Sequence, residues 1–286
     1  MTGTDFSPDE IMVVCMARQV EDGEVVAQGI ATPLVAAAYL LARLTHAPNL
    51  YFASAIGQGI CKQPAPLALL HVESLWLDRG ITNVGFVRAA ADVLPRLRPK
   101  EFFRPAQLDS HGNFNNIAFG KDYYHPRLRL PGTGGIPDVT TFISDILLYV
   151  PRHSRVTFVE KLDFLSGLGY HPDRVMGAGP RYVITDLGQF DFIAMETNGG
   201  DLEHRMRLVY YHPGVRIEQI RAKTGFELQI ASGITETLPP SEEELCLLRE
   251  KIDPLGIRRL ELLSGAERRS LLQKIIVHER DSQNVI

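Results

Sequence analysis

The chain has 286 residues, 45% of them apolar, enough to bury a core as one large domain or two small ones. A net charge of −4 with no clustered basic face excludes a nucleic-acid partner. Cys15, Cys61 and Cys246 are scattered without a CxxC pair and read as reduced thiols; no HExxH motif or Cys/His cluster calls for a metal. The polar, acidic start MTGTDFSPDE is not a signal peptide. The longest apolar stretch, residues 33–44, is interrupted by Arg43 and too short to span a bilayer, so the expectation is a cytoplasmic protein with no membrane partner.

In chain order, Ser7, Pro8 and Glu10 spell a capping box that opens a helix to about Val20. Residues 24–27 read as a strand ended by Gly29. Thr32-Pro33 starts a second helix running to about His46, and residues 50–55 form the next strand. This helix–strand rhythm with short connections argues for an α/β fold with a parallel sheet. Residues 101–104, 143–150 and 156–159 are further strands, the second a nearly continuous apolar run of the buried kind. Residues 181–186 and 189–193 read as a hairpin, 207–211 and 226–230 as strands, and 215–221 as a helix. Ser241 and Glu244 form a second capping box, opening a helix stopped by Asp253-Pro254. Residues 257–280 read as one or two amphipathic helices broken near Ser264-Gly265, with the mixed charges of a protein-packing surface.

Three stretches carry the chemical signal. The first, LYFASAIGQGICKQPAPLALLH, fills the space between Asn49 and Val72 and holds no acid; Glu73 is the first. Its Gly57-Gln58-Gly59 lacks the third glycine and the helix start of a dinucleotide fingerprint, which excludes a Rossmann site. The second is DSHGNFNN, residues 109–116. Asn113, Asn115 and nearby Gln107 are either a wall of a substrate pocket or the pins of a turn between two strands. The third is PGTGGIPD, residues 131–138, where Gly132, Gly134 and Gly135 let the backbone turn tightly and aim N–H groups at a ligand oxygen, as an oxyanion hole requires. A tight structural turn is the bland alternative. Arg127 and Arg129, just upstream, suit a phosphate or carboxylate, or a solvated strand face. His111 and His125 are acid–base candidates or ordinary turn histidines, and Tyr123-Tyr124 line a pocket or simply pack. No GxSxG nucleophile elbow is present.

Together these loops and the C-terminal half resemble the B subunit of family I CoA transferases, similar to glutaconate CoA-transferase. The resemblance covers roughly residues 7–254 and includes Thr224-Gly225-Phe226 and Ile252-Asp253-Pro254. It implies an open α/β sandwich with a mostly parallel central sheet and flanking helices, a B-type domain over residues 1–255, and a C-terminal helical extension over 256–286. It further implies an A-type partner chain in an α2β2 assembly, and an acyl-CoA substrate with no permanently bound cofactor. Gly132, Thr133, Gly134 and Gly135 match the family's G-x-G-G loop at the active site, and Asp138 matches an acid found in some members. Gln107, Asn113, Asn115 and Arg127 become candidates for binding the CoA thioester. The family carries a nucleophilic glutamate in an E-S-G triplet; aligned without gaps from Ala47-Pro48-Asn49, this chain reads Ala55-Ile56-Gly57. The segment DFLSGLGY (163–170) and Phe190-Asp191-Phe192 most resemble CoA-transferase-like subunits of a steroid ring-opening hydrolase, which lack that glutamate and use one from the partner chain. Three readings follow: half of a hydrolase, including C–C ring cleavage of a cyclic acyl-CoA; a true CoA transferase with its carrier acid elsewhere; or a non-catalytic scaffold.

Overall fold

The structure is a computed structural model that describes residues 5–144, 146–175, 177, 179–196 and 199–283. The first four residues of the N-terminal stretch and Asp145 of the apolar run lie outside them. The described residues form two compact units, one drawn from Met1–Ala89 and Pro239–Ile286, the other from Ala90–Leu238.

In unit one the expected capping box is present, with the Ser7 N–H donating to the Glu10 carboxylate at 2.9 Å. The helix that follows, Pro8–Ala17, is buried from Asp9 to Ala17, which explains its run of apolar residues on every side. Strands β1 (Val25–Gln28) and β2 (Tyr51–Ser54) pair in parallel, with Val26 opposite Phe52. A parallel pair needs a crossover, and the Pro33–Thr45 helix supplies it. β3 (Gly59–Cys61) and β4 (Gly80–Asn83) continue the sheet antiparallel, in the order β1-β2-β3-β4, with the Val72–Leu77 helix between them.

The chain returns to unit one at the second capping box, where Ser241 N–H and Glu244 N–H each donate to the other residue's side chain. Helix Glu242–Cys246 runs into a π-turn, Leu247–Ile252, then a 3-10 turn, Ile257–Glu261, and the long helix Gly265–Gln283. Beyond Leu255 the described chain is helical and packs as part of unit one, with Ile257, Leu260 and Ile275 buried. Arg258 is 4% exposed and bridges Asp9 at 2.7 Å, Glu10 at 3.1 Å and Asp253 at 3.0 Å. Arg249 adds a second cation to Glu10 at 2.7 Å. Glu261 accepts the Leu34 N–H at 2.9 Å, matching an amide that the start of the Pro33–Thr45 helix would otherwise leave orphaned.

In unit two, β5 (Lys100–Phe103) is followed by two small antiparallel ladders, β6 (Gln107–Leu108) with β7 (Phe114–Asn115) and β8 (Ala118–Phe119) with β9 (Leu128–Arg129). A helix at Ile136–Phe142 leads to β10 (Ile146–Val150), which is buried throughout. β11 (Val183–Thr185), β12 (Gly188–Glu196), β13 (Leu202–Tyr211) and β14 (Gln229–Glu236) complete a sheet ordered β14-β13-β12-β11-β10-β5. Its β5-β10-β11 centre is parallel, the β11-β12-β13 section antiparallel, and β13-β14 parallel again.

Three expected strands differ. Residues 156–159 make only an isolated bridge, Leu108 to Phe158, because Phe158 stacks on the His153 ring at 3.7 Å and 3° instead of extending. The strand expected at 143 starts at Ile146, since Ile143 ends the helix that Pro137 helps to start. The strand expected at 226 starts at Gln229. Among the described residues, no helix is long and apolar enough to cross a membrane, and no group of three or more His, Cys, Asp or Glu is placed to hold a metal ion.

Arg258→Met should leave three buried carboxylates without their shared cation and cost about 3–5 kcal/mol in urea unfolding; a loss below about 1 kcal/mol would contradict this assignment. Burial works to raise the pKa of Glu10, but hydrogen bonds from Arg249 and the Ser7 N–H hold it down to about 2. That contribution is complete above the ordinary glutamate range near ~4.3 and is lost as pH falls toward 2. In unit two, burial and then Lys223 push His153 down to about 3, and burial pushes His212 down to about 4. Both histidines fold neutral and gain protons on unfolding. The thermal midpoint should therefore fall as pH drops below about 6.5, and His212→Gln should flatten that slope.

Candidate active site

β2 ends at Ser54, and residues 55–58 reverse the chain into β3. The Ala55 N–H donates to the Gln28 carbonyl at 3.0 Å, so the turn is fastened to the end of β1. Ala55 itself is exposed. Gln58 sits at φ 46°, and a Cβ on Gly57 would lie 2.6 Å from that of Trp76. Gly57-Gln58-Gly59 is thus a hairpin reversal packed on Trp76, in keeping with the absence of a strand-to-helix dinucleotide site. Glu73 shares a shallow depression with Ile56, Gly57 and Gln58.

In unit two the glycine loop leads straight into the Ile136–Phe142 helix. Gly132 has φ +117° and Gly134 φ +52°, conformations that favour glycine, and space is open around both. Gly134 is exposed, while Thr133 and Gly135 are half-buried. The loop closes with the Ile136 N–H donating to the Thr133 carbonyl at 3.0 Å. Among the described residues, neither the Gly134 nor the Gly135 amide has a partner within the chain. Asp138 is exposed in the first helical turn.

The asparagine loop is the β6–β7 turn. The Asp109 carboxylate accepts the His111 N–H, the Asn113 N–H and the Asn113 side-chain amide at 2.9–3.0 Å. Burial raises its pKa despite these donors. Asn113 in turn accepts the Gly169 N–H at 2.8 Å. Asn115 donates to Gln107 and to the Ala118 carbonyl, both at 2.8 Å, and Gln107 also accepts the Asp163 N–H. The carboxamides of Gln107, Asn113 and Asn115 are buried and bonded inside the chain, which places them as pins of the turn; a ligand would meet the turn they shape.

The segment 166–169 fits against this turn. Ser166 and Gly167 donate to the Phe114 carbonyl, and Phe114 donates back to Gly167. A Cβ on Gly167 would enter the Phe114 ring, and one on Gly169 would strike the backbone at His111–Gly112. Arg174, which the sequence did not single out, donates to the carbonyls of Thr140, Leu168 and Ile143 and so joins this segment to the helix behind the glycine loop. Its only sequence signal is a lone Arg after the DFLSGLGY stretch.

The remaining candidates are peripheral to this scaffold. Arg127 is exposed, with its guanidinium 5.9 Å from the Phe119 ring centre. Arg129 bonds the Tyr123 carbonyl and lies 4.5 Å from that ring. Tyr123 and Tyr124 are exposed and meet edge to face. His111 holds the His204 carbonyl at 2.8 Å, whereas His125 is exposed beside Asp122.

Gly169→Ala should cost about 1–3 kcal/mol from overpacking. Asn115→Ala should cost a similar ~1–3 kcal/mol by leaving buried groups unmatched. Wild-type urea midpoints for both variants would contradict the scaffold described.

No protein-family model matches the chain. The B subunit of 3-oxoadipate CoA-transferase from Pseudomonas knackmussii is 33% identical over 85% of this chain and 92% of its own length. The IpdB subunit of the cholesterol ring-cleaving hydrolase from Rhodococcus jostii is 32% identical over 84% of this chain and 89% of its own. The crystal structure of glutaconate coenzyme A-transferase from Acidaminococcus fermentans superposes with a TM-score of 0.76 at 25% identity, over 92% of this chain and 99% of that one. On sequence and backbone path alike, the chain belongs to the B-type CoA-transferase family, in which transferase and ring-cleaving hydrolase subunits share one fold.

Proposed function

We propose that this chain is the B half of a two-chain enzyme that hydrolyses an acyl-CoA thioester, with a glutamate of an A-type partner as the base. The observation that carries the reading is Ala55. A covalent CoA carrier must be a carboxylate, because it forms first an anhydride and then a thioester, and a methyl group does neither. The turn that would hold the carrier is otherwise intact, with its backbone fastened to Gln28 and its side chain exposed.

The steps balance without a carrier. The partner carboxylate takes a proton from water, and the water oxygen attacks the thioester carbonyl. The carbonyl electrons become an oxyanion, which the Gly134 and Gly135 amides are suited to receive because no group of the chain occupies them. Collapse expels the CoA thiolate, which takes the proton back from the partner carboxyl to leave as free CoA, and the acyl group departs as the acid. A carboxylate in a partly apolar site has a raised pKa and works as a base near neutral pH. Gly132 and Thr133 shape the loop, Asp138 stands at its exit, and Arg127 offers an exposed cation to a CoA phosphate. Coenzyme A enters only as part of the substrate. The three free thiols suit a reducing compartment and so favour a cytoplasmic reaction. Pairing as α2β2 completes the site.

A second reading, a true CoA transferase with a displaced carrier, draws on the similarity to the 3-oxoadipate transferase chain and on Glu73 beside Ile56–Gln58.

Co-expression with an A-type chain and a screen of acyl-CoA thioesters separates the two. Hydrolysis predicts free CoA and little transfer to acetate or succinate, with no turnover by this chain alone; robust transfer with negligible hydrolysis favours the second reading. Gly134→Val and Gly135→Val should each lower kcat by ~10²-fold or more, the scale for losing an oxyanion donor. Wild-type rates in both variants would reduce the loop to a turn.

A further inference from the structure

The helix Ile136–Phe142 in unit two has seven residues. Isolated helices shorter than about 12–15 residues are marginal in water, so its hold must come from outside. The segment 166–175 supplies it. The buried Thr140 hydroxyl donates to the Ile136 carbonyl at 2.8 Å, in the first turn, and accepts the Leu168 N–H at 3.0 Å. At the far end the Thr141 carbonyl accepts the Val175 N–H at 3.1 Å. The Arg174 guanidinium takes the carbonyls of Thr140 and Ile143 and reaches the Leu168 carbonyl at 3.0 Å. Arg174 is 9% exposed, and burial pulls its pKa down to about 10, which leaves it charged at neutral pH. Three carbonyls from two segments need a planar fork of donors, which a lysine does not offer.

The glycine loop takes its place from this helix. A Cβ added at Gly132 or Gly134 would meet nothing within 4 Å, so little packs on the loop there. Its Thr133 and Gly135 carbonyls accept the Ile136 and Val139 N–H groups of the helix at 3.0 and 2.9 Å. We propose that Arg174, with Thr140, is a positioning residue of the reaction: it clasps the helix to the segment 166–169 and so aims the Gly134 and Gly135 amides at the thioester oxyanion, without touching the substrate. The proposal rests on the acyl-CoA reading above and adds the residues that hold its oxyanion donors. Segment 166–169 is a firm anchor, because Gly167 and Gly169 lie tight against Phe114 and the His111–Gly112 backbone. A donor acts at roughly 2.7–3.1 Å from the developing oxyanion, so a drift of ~1 Å costs up to about 10²-fold in rate.

The test assays Arg174→Ala in the assembled enzyme on the thioester that the screen above finds hydrolysed fastest. It should lower kcat by about tenfold or more and change KM by less than about threefold, because the lost contact serves the transition state. Millimolar guanidinium should restore part of the rate, and Arg174→Lys should recover less than the wild type. Thr140→Val, close in shape, should show the same split and serves if Arg174→Ala fails to fold. With the loop already altered by Gly134→Val, Arg174→Ala should lower kcat by less than about threefold, whereas a purely structural role lowers both backgrounds alike. Amide hydrogen exchange of the full chain reads the clasp without turnover, and residues 133–143 should exchange about tenfold faster in Arg174→Ala. Wild-type kcat in both Arg174→Ala and Thr140→Val, or equal losses in the two backgrounds, overturns the proposal. Faster exchange over 133–143 with an assembly that hydrolyses no thioester supports the clasp and overturns the hydrolase reading; hydrolysis indifferent to both variants does the reverse.

Discussion

A polar group that loses water without gaining a partner costs about 1–3 kcal/mol, and more when charged. That constraint organises both units. In unit one it is met by Arg258, which draws Asp9, Glu10 and Asp253 around one guanidinium and so fastens the returning C-terminal segment to the first helix. In unit two it is met by the carboxamides of Gln107, Asn113 and Asn115 and by Arg174, whose bonds join the β6–β7 turn, segment 166–169 and the helix behind the glycine loop. The glycines at 167 and 169 let these backbones approach closely enough to bond.

The same constraint separates scaffold from chemistry. Groups that are buried and bonded within the chain hold shape. The Gly134 and Gly135 amides are the contrasting case, with no partner within the chain among the described residues, in a loop where Gly134 takes φ +52°. Ala55 is a second contrast, an exposed methyl on a turn whose backbone remains firmly held. Beside that turn opens a depression with no charged residue in its lining.

Local signals make much of the fold legible. Both capping boxes, at Ser7 and Ser241, need only four consecutive residues, and each appears as expected. The buried β10 run and the β11–β12 hairpin are equally plain. Residues 156–159 mislead because Val, Thr and Phe favour strands while the ring of His153 claims Phe158, a tertiary contact that overrides propensity. The helix at Ile136–Phe142 is hidden by the glycine loop that precedes it and by its two threonines. At the candidate site the residue types are readable but their directions are not. Asn113 turns inward because of Gly169, and Gln107 because of Asn115 and Asp163, partners that no local pattern reveals. The role of the tail is still less accessible, since Glu279 bonds amides 209 and 210 residues away.

The most direct test is a single turnover of the assembled enzyme in water enriched in oxygen-18. A carrier enzyme gives the released acid an oxygen from its own glutamate, so the first product is unlabelled. Direct attack by water places the label in that product. The proposed hydrolase reading, with Ala55 where the resemblance puts the carrier, predicts labelled acid together with stoichiometric free CoA. Unlabelled acid in the first turnover, with a glutamyl thioester trapped on Glu73, would contradict it.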